Sequence, residues 1–230
     1  MSVITAFVIA LEVFATIGLA RHQWLSRIVL WILATFMLTY VTYRAILDHE
    51  IPIQFSTFSY YLFGVAALLP LRPIKSVAAF CCFLSGVIYL SVYLVYPDLY
   101  FVLHAVELGR LTGWLLHGIL LFGGLLMYSH YRVKKSDIFY VLGFVAFFIA
   151  FTEIAVNVFN INADNTLFVG IIEATLIHYV APDFPITVWW CFVWYVFVVG
   201  AFAGAYIGTY FLNRKLYPIS PDEKAKLIVV

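Results

Sequence analysis

Three side chains with complementary chemistry stand in separate apolar runs: Ser56, His117 and Glu153. A hydroxyl, an imidazole and a carboxyl are the parts of a proton relay. The imidazole takes the hydroxyl proton and the acid orients the imidazole. His117 lies well inside GRLTGWLLHGILLFGGLLMYSHYRVKK, residues 109–135. An imidazole at membrane depth is costly unless it has a partner or a purpose. Arg44 and Arg110 suit an anionic phosphate. Gln54 and Asn157 complete the candidate substrate contacts.

Helical spacing groups several of these residues. Glu153, Asn157 and Asn160 fall at i, i+4 and i+7 and predict one stripe. Arg110, Gly113 and His117 share a side, and Gly113 leaves room for a neighbour or ligand. Ser56 shares a face with Tyr60. Gln54 does not share that face if the turn is regular, but an unwound Pro52 region removes the objection. Bland readings stand beside these. Glu153 can pair with Arg44 or Arg110 and hold the bundle, a role worth about 0.6 kcal/mol on average. His117 can be a satisfied buried imidazole, and Ser56 a backbone-bonded serine. Glu12, near the middle of the first apolar run, is a further intramembrane acid.

The elements that must position these groups are membrane spans. The chain has 230 residues, 65% hydrophobic and 11% charged, with mean hydropathy +1.02. Soluble domains are nearer a quarter charged, so an all-α, polytopic membrane bundle is expected. Seven apolar segments can be marked, at 2–20, 28–47, 51–71, 77–97, 109–131, 138–160 and 186–212. About twenty residues suffice to cross a hydrocarbon core of roughly 30 Å. Residues 2–20 lack a basic leader and a cleavage site, so they read as a retained first span.

Charge sets the orientation. Arg21, Arg27, Arg72, Lys75, Arg132, Lys134, Lys135, Arg214, Lys215, Lys224 and Lys226 fall in loops one, three and five and the tail. Only Arg44 and Arg110 fall on the other side. Lys and Arg collect on the cytoplasmic side, so the N-terminus is expected outside and the C-terminus inside. The intramembrane polar groups then gather in the outer half, leaving the inner half nearly bare.

Residues 166–181 are too short to span and predict an interfacial or re-entrant helix. Residues 213–230 read as a cytoplasmic tail. Gly200, Gly204 and Gly208, four apart, predict a close helix-packing face through which a homo-oligomer can form. Cys81, Cys82 and Cys191 have no CxxC or metal-like spacing and read as packing residues. No cofactor or metal is expected. A net charge of +1 gives no reason to expect a nucleic-acid partner; membrane lipids are the expected contacts.

The third and fifth segments carry a resemblance. Ile51-Pro52-Ile53-Gln54-Phe55-Ser56 resembles the "LPLHLC" or "LPLQLC" entry of the YwaF-type bacterial integral membrane proteins, and Leu116-His117-Gly118-Ile119 resembles their histidine–glycine span. Asn165 and the Pro185–Trp190 entry to the last span also fit their order of spans. Animal relatives of that family include a transmembrane phospholipid acyltransferase, and more distant ones hydrolyse fatty acid esters of hydroxy fatty acids. The resemblance therefore implies a nucleophile at Ser56, a histidine at His117 and a bacterial cytoplasmic membrane. Serine stands here where the acyltransferase has cysteine, and serine needs a base to react.

Two function classes follow. The first is acyl transfer or lipid ester hydrolysis near the outer leaflet through a Ser56–His117 pair. The second is a proton-coupled carrier or channel, with Glu12, His117 and Glu153 as relay groups. Spans three and seven both enter with an apolar-Pro-Ile turn, a faint parallel repeat. A non-catalytic assembly protein is the third possibility. A retinal receptor is disfavoured, because Lys215 lies beyond the expected last span.

Overall fold

The computed structural model describes residues 2–48, 53–69, 71–95, 107–161 and 187–218. Its described residues form seven α-helices: α1 Ser2–Ala20, α2 Gln23–Asp48, α3 Phe55–Leu68, α4 Arg72–Val95, α5 Glu107–His130, α6 Ile138–Asn157 and α7 Val188–Leu216. A 3₁₀ turn, Lys135–Asp137, precedes α6. No strand occurs among the described residues. All helices but α3 are long and apolar enough to cross a membrane. The chain is an all-helical membrane bundle.

The exception has a local cause. The expected third span covered residues 51–71, but α3 has only 14 residues, about 21 Å of rise. Leu69 is extended at φ −96°, ψ 133°, because Pro70 disfavours helical geometry in the residue before it. At the other end Gln54 is also extended, at φ −79°, ψ 137°. The chain is thus unwound just before Ser56. Pro73 instead sits in the first turn of α4, where its missing N–H costs nothing.

Two central helices carry most of the packing. α5 lies along α4, α3 and α2 complete one side, and α1 packs on α5. α6 and α7 pair with each other and join the bundle mainly through α4. The α4–α5 seam is a close backbone approach. A Cβ on Gly86 would stand 2.7 Å from the Leu121 amide nitrogen, and one on Gly124 2.7 Å from that of Phe83. Phenylalanines bridge α3 to α6 and α7. Phe58 meets Phe148 at 5.2 Å between centroids, and Phe55 meets Phe202 at 5.4 Å, both edge-on.

Within the single chain, the described residues leave the expected glycine face uncovered. Gly200, Gly204 and Gly208 have no atom within 4 Å of a built Cβ. Among the described residues the close approaches run through Gly64, Gly86, Gly113, Gly118, Gly123 and Gly124 instead.

A polar cluster joins the start of α4 to the α5–α6 connection. Arg72 bonds the buried Asp137 carboxylate at 2.9 Å and the Arg132 carbonyl at 3.2 Å. Asp137 further accepts from the Lys134 amide at 2.9 Å and from the Tyr131 hydroxyl. Burial raises the Tyr131 phenol above its ordinary range, and the hydrogen bond to Asp137 adds to the shift. Tyr206 donates to the Lys134 carbonyl at 2.8 Å. Asn213, expected to open the tail, is buried on α7 and donates to the Tyr128 carbonyl at 2.9 Å. α7 continues past Asn213 to Leu216, and Asn213 answers a backbone carbonyl that the apolar pattern does not reveal. The proposed interfacial helix 166–181 lies outside the described residues.

Candidate functional site: a polar seam between α1 and α5

His117 is the most completely enclosed of the predicted site residues, with 6% exposure. Its Nδ1 lies 2.7 Å from the Gly113 carbonyl, one turn back on α5. A carbonyl only accepts, so Nδ1 carries the proton in that bond and Nε2 keeps its lone pair. The ring stacks on Tyr89 with centroids 3.6 Å apart and planes 4° from parallel. The hydroxyl that approaches it from α3 is that of Tyr60, 3.3 Å from Nδ1. Ser56 stands one turn before Tyr60, on the same face. It is half-buried, and among the described residues no hydrogen bond ties it to the backbone, unlike Ser59, which bonds the Phe55 carbonyl at 2.7 Å.

Glu153 belongs to another seam. Its helix packs on α7 and α4 rather than chiefly on α5. Asn157 donates to the Glu153 carboxylate at 2.6 Å and to its backbone carbonyl at 2.9 Å. Cys191 of α7 feels that carboxylate. The predicted Glu153–Asn157 stripe is present, but α6 ends at Asn157. Asn160 lies beyond it at φ 53°, a left-handed conformation that asparagine tolerates. Ile161 N–H returns to the Ala155 carbonyl at 3.2 Å and closes this end.

The remaining candidates are peripheral. Gln54 is exposed at the start of α3, and Arg44 is exposed near the outer end of α2. Arg110 lies in α5, with its side chain outside the described residues. Among the described residues no three His, Cys, Asp or Glu side chains gather to hold a metal.

The acid drawn toward α5 is Glu12. Its Oε1 lies 2.9 Å from where a Gly118 Cβ would stand, so the carboxyl fills the space that residue 118 leaves open. Its Oε2 is buried with no hydrogen-bond partner among the described residues. An unsatisfied buried polar atom costs about 1–3 kcal/mol, so this placement calls for a reason. Polar neighbours follow the same seam. Trp114 donates to the Thr5 hydroxyl at 3.2 Å, and Thr16 donates to the Glu12 carbonyl at 2.6 Å. Sequence reasoning named Glu12 as a relay group and missed its register with Gly118. The signal was the small residue beside His117.

Neither family models, nor curated proteins, nor solved structures match the chain.

Proposed function

We propose that the protein moves protons through its α1–α5 seam, with Glu12 as the proton-exchanging acid. The observation that carries this reading is the Glu12 carboxyl, its Oε1 set against Gly118 and its Oε2 buried without a hydrogen-bond partner among the described residues. A carboxyl oxygen without a donor can take up and release a proton without breaking a hydrogen bond. Intramembrane acids of this kind mark proton relays in carriers and pumps. A cavity of about 790 Å³ reaches Ile17 of α1, little more than a turn from Glu12.

The second reading is lipid acyl transfer or ester hydrolysis at Ser56. Two observations favour it: among the described residues no hydrogen bond ties Ser56 to the backbone, and His117 keeps Nε2 as a base. Against it, the hydroxyl at His117 is the phenol of Tyr60, and Glu153 sits in a different seam. The test is purified protein in liposomes that hold a pH-sensitive dye. A pH gradient should collapse faster than in empty liposomes, and Ser56→Ala should change nothing. Loss of acyl chains from the liposome phospholipid, abolished by Ser56→Ala, would establish the second reading instead.

A further inference from the structure

In the inner cavity, cations gather without acids among the described residues. It opens between the inner ends of α1, α2, α5 and α7. Arg21, Arg27 and Arg132 line it together with His130. Lys75 also bears electrostatically on His130, as Arg27 does. No carboxylate lines it among the described residues, and the nearby Asp137 is committed to Arg72, Tyr131 and the Lys134 amide.

Two of these groups are held in place. His130 Nε2 lies 2.6 Å from the Ser26 hydroxyl, which itself donates to the Gln23 carbonyl at 3.0 Å, so the imidazole is pinned to the start of α2. Arg132 is fixed through its backbone, whose carbonyl accepts from Arg72. Arginines that line one space favour an anion between them, and guanidinium forks match phosphate oxygens. The wall toward α1 and α7 is apolar, formed by Ile17, Ala20 and Leu216. Those two helices hardly pack on each other, so the cavity has an apolar exit for an acyl chain.

We infer that this cavity binds a phosphate group, carried by an anionic phospholipid of the leaflet at this end or by a free phosphate ester. Basic pockets between spans hold lipid headgroups by this chemistry. The inference does not rest on the proton pathway.

The test uses the full chain in neutral detergent, with thermal unfolding followed by tryptophan fluorescence. Phosphatidylglycerol should raise the midpoint saturably, and phosphatidylcholine should not. Inorganic phosphate is the second arm: a matching rise means the phosphate alone is recognised, and a rise with lipid only means the chains contribute. The double variant Arg27→Gln/Arg132→Gln should weaken the apparent affinity about tenfold or more. Arg214→Gln/Lys215→Gln removes the same charge outside the cavity and should leave affinity unchanged. The inference is overturned if neither phosphate source shifts the midpoint. It is equally overturned if both double variants weaken binding alike, since the attraction is then diffuse.

Discussion

The His117 imidazole lies flat on the Tyr89 ring, 3.6 Å between centroids, while Gly113 holds its Nδ1 at 2.7 Å. The two contacts act at right angles. One fixes the plane of the ring and the other fixes its rotation within that plane. Tyr89→Leu should therefore free the imidazole and destabilise the protein by about 1 kcal/mol. The His117 ring resonances in a selectively labelled sample should broaden or split. A single sharp set unchanged from the wild type would show that Tyr89 does not hold the ring.

The α4–α5 seam depends on missing side chains. Gly86→Val places carbon within 2.7 Å of the Leu121 amide and 2.8 Å of the His117 carbonyl, and backbone cannot move aside cheaply. We expect a loss of about 2 kcal/mol or more, read as a lowered thermal midpoint or failure to fold. Gly204→Val meets open space and should stay within about 0.5 kcal/mol of wild type.

Asp137 ties three partners at the inner end. Asp137→Ala leaves Arg72, Tyr131 and the Lys134 amide without their acceptor. The expected cost is about 3 kcal/mol. Arg72 is 38% exposed and can turn to solvent, so Arg72→Gln should cost less than Asp137→Ala. Equal midpoints for the two variants would contradict this ordering.

Much of the architecture was legible because span length and loop charge are local quantities. Ser2–Ala20 and Ile138–Asn157 begin or end within three residues of their predicted bounds. The shortening of α3 was written in Pro52 and Pro70, yet its apolar composition hid it. Which helix faces which was not legible. α6 is apolar on every side but for Glu153 and Asn157, so nothing in its pattern says whether Glu153 turns to α5 or α7. α5 packs closely on α4 at Gly86 and Gly124, and α6 pairs with α7. The inner polar cluster escaped notice because Asn213 and Tyr131 answer backbone and carboxylate groups brought in from distant sequence. Asp137, an acid on the basic side, was the available hint.

Gly118 provides a probe of the seam that leaves both titratable groups intact. Gly118→Ala pushes against Glu12 Oε1 at 2.9 Å and should move the carboxyl. Proton flux should fall several-fold while the fold, judged by its thermal midpoint, stays close to wild type. Wild-type flux in this variant would mean that the register of Glu12 and Gly118 has no part in the pathway.

The most direct measurement compares initial proton flux into dye-loaded liposomes for two isosteric variants, Glu12→Gln and Glu153→Gln. Glu12→Gln is expected to reduce flux to the level of empty liposomes, and Glu153→Gln to leave it near wild type. Wild-type flux in Glu12→Gln, or its loss in Glu153→Gln alone, would contradict a pathway along α1 and α5.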